Sequence, residues 1–302
     1  MNALKSLMVC LDLTEMDDIL IRYAAYFSQA IPDVERILFF HNIRFDYPES
    51  AGELLSGIDR PLHDVLTDIV AEQVAEHMHM REAETPYEVI ITENDSTPRA
   101  MAHTSSNEGV DLIILGKKVT FKGSGLVAEM LYNIPEFSAS ILLVPETAYH
   151  QINDILVPTD FSKASKTALA FGHYLQRQFQ ASLECQHVYN IPAHYFPYIK
   201  VEDMQDRMEK EARADWRKFV KSLPEEEQDV SCTFSFSRGD SVSETIYNYA
   251  LQEKKDLVIV NSKGRGGLAS FLIGNVALRL IQLDAHLPLL VTNNRGRRKG
   301  SN

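Results

Sequence analysis

The residues best suited to chemistry lie between Asn261 and Asn275, in the stretch NSKGRGGLASFLIGN. An apolar run, Asp256-Leu-Val-Ile-Val, leads into it, and Val276-Ala-Leu-Arg-Leu-Ile, which reads as helix, leads out. Strand, glycine loop, helix is the order that builds an anion site. Glycine lets the backbone turn tightly and approach a ligand, and a helix start offers unpaired N–H groups to a phosphate. Such loops also end strands in proteins that bind nothing, so the meaning of this one depends on its surroundings.

Catalytic chemistry finds little support. There is no Gly-x-x-x-x-Gly-Lys-Ser/Thr, hence no lysine set for β- and γ-phosphates, and no Gly-x-Ser-x-Gly nucleophile turn. Asp160 as a magnesium-linked carboxylate could support slow hydrolysis, but one acid without a positioned base makes a poor ATPase. No catalytic residue is assigned. Lys163, Lys263 and Arg265 could touch phosphates, and each reads equally well as a solvated charge beside a loop. The ten histidines give no metal set. His77 and His79 are two apart in an expected helix and so point to different faces; His41 and His187 end expected strands and read as scaffold, while His194 sits near Tyr195 and Tyr198 in an irregular segment.

Bulk properties bound the function class. The chain has 302 residues, 45% hydrophobic and 24% charged, enough for two domains with their own cores. It has no eighteen-residue apolar run, and its first residues, MNALKSLMVCLDL, read as a strand and not a signal peptide, so a cytoplasmic protein with no membrane partner is expected. Cys10, Cys185 and Cys232 are widely spaced with no C-x-x-C pair, which suits a reducing compartment. A net charge of −12 excludes a broad nucleic-acid surface. The basic run Arg295-Gly-Arg-Arg-Lys299 reads as part of a disordered tail over 295–302.

The elements that must position these residues occur twice. Val9-Cys-Leu-Asp12-Leu-Thr14 aligns with Val157-Pro-Thr-Asp160-Phe-Ser162, 148 residues on. Phe39-Phe-His41-Asn aligns with Cys185-Gln-His187-Val, Asp111-Leu-Ile-Ile-Leu-Gly116 with Asp256-Leu-Val-Ile-Val-Asn261, and Ile141-Leu-Leu-Val-Pro145 with Pro288-Leu-Leu-Val-Thr292. The seam falls near Thr147 to Asn153, dividing the chain into 1–147 and 153–294. Each copy predicts strands at 6–11, 36–41, 87–92, 111–115 and 140–144, or at 154–159, 182–188, 230–236, 256–260 and 287–292, with helices between. Helix one opens on Thr14 with Asp17, or on Ser162 with Ser165. Long amphipathic helices follow strand two, with stripes Leu62, Val65, Leu66, Ile69, Val70, Val74, Met78 and Met204, Met208, Ala212, Trp216, Phe219, Leu223. Apolar strands alternating with helices specify an α/β fold, doubly wound around a five-stranded parallel sheet, once per copy. In such a sheet, ligands bind beyond the carboxyl ends of the strands where strand order reverses, which is where the glycine loop, Pro158-Thr159-Asp160 and His187-Val188 would converge.

Those residues carry a family resemblance. Over its whole length the second copy resembles a universal stress protein domain: Ile155-Leu-Val-Pro-Thr-Asp-Phe-Ser162, His187-Val188, Arg238-Gly239-Asp240 and the final loop all fit. The family's nucleotide signature is Gly-x2-Gly-x9-Gly followed by Ser or Thr; here its spacing is kept as Asn261-x2-Gly264-x9-Gly274-Asn275, with the first and last positions changed. The resemblance implies an adenine nucleotide alpha hydrolase-like fold, pseudo-dimeric within one chain, and ATP or AMP binding in some members, with magnesium accompanying ATP. Carried over, Asp160 approaches the nucleotide beside Pro158 and Thr159, Val188 meets adenine, and Gly264, Arg265, Gly267, Gly274, Asn275 and Val276 lie along ribose and phosphates. It also implies dimers through paired fifth strands, which two copies can form internally, alongside a homodimer.

The first copy departs further. Gly116-Lys-Lys-Val119 lacks the second glycine, and nine residues on stands Glu129, an acid where phosphate needs donors. It reads as degenerate and structural. The expectation is a cytoplasmic stress-response protein that binds ATP or AMP in its C-terminal half and regulates an unknown protein partner without substantial turnover. The alternatives are a nucleotide-independent interaction scaffold and a weak ATPase. The irregular stretches 42–60 and 190–200 could carry partner specificity.

Overall fold

The computed structural model describes residues 3–44, 60–80, 84–118, 127, 129–131, 134, 137–190, 201–237, 240–263, 274–283 and 286–293. The chain divides into two compact units, Asn2–His150 and Gln151–Asn294. The first runs β1 (Ser6–Cys10), α1 (Met16–Ala30), β2 (Arg36–Ile43), α2 (Leu62–Met80), β3 (Tyr87–Glu93), α3 (Thr97–Asn107), β4 (Leu112–Lys117), β5 (Ser140–Pro145). The second runs β6 (Asp154–Pro158), α4 (Lys163–Phe179), β7 (Ser182–Tyr189), α5 (Val201–Val220), β8 (Ser231–Phe236), α6 (Val242–Gln252), β9 (Leu257–Asn261), α7 (Asn275–Gln282), β10 (Leu289–Thr292). Expected and observed strand ends agree within two residues.

Each unit holds five parallel strands, in the order β3-β2-β1-β4-β5 in the first and β8-β7-β6-β9-β10 in the second. The fold expected from strand–helix alternation is the one observed. Every residue of β1 and of β5 is buried, and apart from Ser6 and Ser140 all of them are apolar, as strands covered on both faces require. In the first unit Tyr23, Phe27, Phe39 and Phe40 fill the core with no exposed surface.

The two units repeat fine detail that lies outside any motif. Asp111 accepts from the backbone N–H of Lys5 and Ser6 at 2.9 and 3.0 Å, and Asp256 accepts from those of Asn153 and Asp154 at 2.8 and 3.0 Å. In each unit a carboxylate before strand four thus satisfies the donors that precede strand one. The second unit adds an ion pair, buried Lys255 with half-buried Glu184 at 2.9 Å, whose carboxylate also accepts from Thr233 and Tyr249 hydroxyls.

Two local expectations are corrected. Thr14 does not cap α1: Glu15 occupies the N-cap without a side-chain bond. The Thr14 hydroxyl instead donates to Asp12, and buried Asp17 turns back to accept from the N–H groups of Asp12 and Leu13. From the helix itself Thr14 Oγ1 takes only a long contact, Met16 N–H at 3.4 Å. Ser162, by contrast, caps α4 by accepting from Ser165 N–H. In α2, Ile69 is 49% exposed and Val70, Val74 and Met78 make the buried stripe; Ile69 falls on the edge of the helix's apolar arc. α5 buries Met204, Ala212 and Phe219, and its other face carries the Arg207–Glu211 and Arg213–Glu209 pairs.

Candidate functional site

In the second unit β6 lies between β7 and β9, so strand order reverses between β6 and β9. The chain leaves β6 through Pro158, half-buried, and Thr159, buried, whose N–H donates to Gln186 O at 2.8 Å. Asp160 then folds the turn. Its Oδ1 accepts from Ser162 N–H at 3.0 Å and from the Ser165 hydroxyl at 2.6 Å, and Ser165 Oγ accepts from Asp160 N–H at 3.2 Å. Phe161 takes a left-handed conformation, φ 62°, that turns its ring onto the imidazole of His187.

His187 is a scaffold residue. Its Nδ1 lies 2.8 Å from Thr159 O, and one ring face is covered by Phe161, which packs further on Trp216 and Phe219. The alternation of β7 sends Val188 to the opposite face, where it is half-buried and in register with Ser235. Below it on that face lies Gln186, which the sequence reading passed over as a strand interior. Its amide is buried; Nε2 donates to Ser235 Oγ at 2.9 Å, and among the described residues its Oε1 is the one buried side-chain oxygen or nitrogen without a partner.

From β9 the chain reaches Asn261, which the signature would have as glycine. Asn261 is a strand residue and its φ is not positive. Its Nδ2 donates to Thr292 Oγ1 and its Oδ1 accepts from Lys263 N–H, both at 2.9 Å, so the side chain ties β10 to the loop's start. Gly264, Arg265 and Gly267 lie outside the described residues. The loop's two ends are joined: Gly274 N–H donates to Ser262 O at 2.8 Å. That bond brings the start of α7 to the carboxyl end of β9, beside β6. Gly274 is the N-cap in an extended conformation, with no side-chain cap bond, Asn275 is the exposed first helical residue and Val276 is half-buried. The structure therefore joins Pro158, Thr159 and Asp160 with Gly274, Asn275 and Val276 at one sheet end, with Val188 one strand further out. An uncapped helix start there can take an anion's oxygens.

The first unit repeats the frame with other occupants. Leu11 N–H donates to Phe40 O at 2.8 Å, His41 Nδ1 lies 3.0 Å from Leu11 O, and Leu13 takes φ 60°. Gly116 stands where the second unit has Asn261. A Cβ there would come within 2.6 Å of Met16 Cγ, so the missing side chain is what lets Met16 lie against β4. At this sheet end the unit has an open cleft of about 740 Å³, lined among others by Leu11, Asp12, Met16, His41, Met101 and Lys118. Asp17, in the first turn of α1, has no exposed surface, and burial pushes its pKa up to about 6. His77 is paired with Asp18 at 2.8 Å. Burial raises the pKa of all three thiols, Cys232 to about 12. His194, Tyr195 and the basic tail lie outside the described residues, and among the described residues no helix is long and apolar enough to cross a membrane.

Comparison with known proteins places the second unit. Residues 151–293 match the Universal stress protein family, so the C-terminal part of the chain carries a domain of that family. A universal stress protein of Methanocaldococcus jannaschii is 29% identical over 153 residues, covering 50% of this chain and 86% of its own length. Among solved structures, a universal stress protein of Archaeoglobus fulgidus superposes with a TM-score of 0.63 at 15% identity, over 96% of this chain and 97% of its own. A Pseudomonas aeruginosa protein provisionally assigned to the same family gives 0.64 at 14% identity, over 96% and 93%. At such identities the likeness is one of fold, and it covers both units.

Proposed function

We propose that the C-terminal half binds an adenine nucleotide, ATP or AMP, and serves as the regulatory module of a cytoplasmic stress-response protein, without substantial turnover. The bond from Gly274 N–H to Ser262 O carries this reading, because it sets an uncapped helix start at the point where strand order reverses. The backbone N–H groups of Asn275 and Val276 would meet phosphate, with Gly264, Arg265 and Gly267 along the loop, and Val188 would meet the base. Asn275 keeps a side-chain donor where the family has a hydroxyl.

Magnesium would enter with ATP, and Asp160 is the carboxylate offered to it. Its Oδ1 already serves Ser162 N–H and the Ser165 hydroxyl, so it orients the turn and is not set as a base for water. This supports a module that signals by occupancy. Pairing of the fifth strands within the chain and a protein partner belong to the same proposal.

Isothermal titration of the full-length protein with ATP, with and without magnesium, and with AMP tests it. One saturable site per chain, lost in Gly264→Val, is expected, with phosphate release near background. No heat and no thermal shift at millimolar nucleotide would overturn it.

A further inference from the structure

Glu184, Gln186 and Val188 point to one face of the second unit's sheet. That face is the one α6 covers, since Tyr249 of α6 donates to Glu184, and α7 packs against α6. A base beside Val188 and phosphates at the start of α7 would therefore lie over the same face. Gln186 stands in this row with no exposed surface, its Cα in register with Pro158 of β6 and Thr233 of β8. Its Nε2 nevertheless reaches Ser235 Oγ at 2.9 Å, and Ser235 is the register partner of Val188. The amide thus climbs toward the carboxyl ends of the strands and ends level with Val188.

The amide oxygen, on the edge away from Ser235, is buried and has no partner among the described residues. Such a state is costly, because folding has stripped the oxygen of water without returning a donor. Donors from the same face go elsewhere: Glu184 takes the hydroxyls of Thr233 and Tyr249 together with Lys255. What the oxygen lacks is an N–H or O–H group at the level of Val188. Adenine carries such a donor in its exocyclic amine, where hypoxanthine and guanine carry an acceptor oxygen, and the terminal torsion of glutamine is soft enough to turn toward it. We propose, resting on the nucleotide reading above, that Gln186 sets the base specificity of this site: its Oε1 accepts from the exocyclic amine and so selects 6-aminopurines over 6-oxopurines.

Calorimetric titration of the full-length protein with ATP and with inosine triphosphate, which has an oxygen in place of the amine, tests this. ATP is expected to bind tighter by about tenfold or more, the scale of one hydrogen bond to the base. Gln186→Met keeps the length of the side chain and removes the amide. In that variant ATP should weaken by about tenfold and inosine triphosphate by less than about threefold, so that the preference disappears. Equal affinity of the wild type for the two nucleotides, which decides the matter even if the variant does not fold, would overturn the proposal and leave the nucleotide site standing. So would a preference for ATP that survives in Gln186→Met, the oxygen then serving a buried water alone. Absence of any ATP binding would overturn both readings.

Discussion

The ring of Phe161 lies flat on the imidazole of His187, centroids 4.2 Å apart and planes 22° from parallel. The contact needs the left-handed backbone at Phe161, φ 62°, a conformation that costs a residue with a side chain about 1–2 kcal/mol. Leu13 pays the same cost at φ 60° with its side chain 41% exposed. The left-handed turn is thus a property of the frame, and only the second unit recovers its cost through an aromatic cluster.

Substituting glycine at the two positions should therefore have different outcomes. Leu13→Gly relieves strain and loses little packing, so its unfolding free energy should stay within about 1 kcal/mol of wild type, allowing for the entropy glycine adds to the unfolded chain. Phe161→Gly relieves the same strain but removes contacts with His187, Trp216 and Phe219, and a loss of about 2 kcal/mol or more is expected. Denaturant unfolding of both variants reads the difference; a Phe161→Gly protein as stable as wild type would refute it.

The carboxylates of Asp111 and Asp256 each accept from two consecutive backbone N–H groups. Alanine at either site strands both donors, at about 1–3 kcal/mol. Asp111→Ala should cost more than Asp256→Ala, because Ser6 is buried and its counterpart Asp154 is half-buried, so water reaches the second site more easily. Hydrogen exchange at the two affected amides gives an independent reading: protection should fall at Lys5 and Ser6 in the first variant only.

Asp17 makes stability depend on pH with an unusual sign for a carboxylate. Its pKa in the fold, about 6, lies above the usual 3.8 because burial disfavours the anion more than its two backbone donors stabilise it. The folded state then binds the proton more tightly than the unfolded state between those values, so this group stabilises the fold as pH falls through 6 and withdraws that contribution as pH rises. Relative to Asp17→Asn, wild type should gain about 1 kcal/mol between about pH 7.5 and about pH 5. A stability difference between the two proteins that stays flat over that range would show that Asp17 does not titrate there.

Much of the fold was legible because apolar runs, turn residues and an internal repeat all agreed, and because His41 with His187 and Asp12 with Asp160 fixed the alignment of the copies. The places that were not legible share a cause. Thr14 and Ser162 occupy the same position, but whether a hydroxyl caps depends on what else reaches the turn, and Asp17 reaches it where Ser165 does not displace the cap. Gln186 sits inside a strand, and its unpaired oxygen depends on neighbours in β8 that no local pattern reveals. The first unit's cleft was missed for a similar reason. Its lining comes from separate elements, Leu11, Met16, Met101 and Gly116 among them, and no local pattern says that they face one another or that Gly116 leaves room for Met16.

Asn261 gives the last prediction. Restoring the family's glycine there would return the signature's first position. In the structure, however, Asn261 closes a strand with no need for positive φ, and its side chain bonds Thr292 Oγ1 and Lys263 N–H. Asn261→Gly removes both bonds and frees the backbone where the loop begins, so it should destabilise the second unit by about 1–2 kcal/mol. Nucleotide affinity should fall or stay level, because the bond between Ser262 and Gly274 that sets α7 depends on the same short segment. Asn275→Ser, by contrast, changes an exposed residue at the helix start and should leave stability nearly unaltered while supplying the hydroxyl the family uses. Calorimetric titration of both variants with ATP, beside their unfolding curves, decides between the two routes; an Asn261→Gly protein that binds nucleotide more tightly than wild type would show that the asparagine obstructs the site instead of building it.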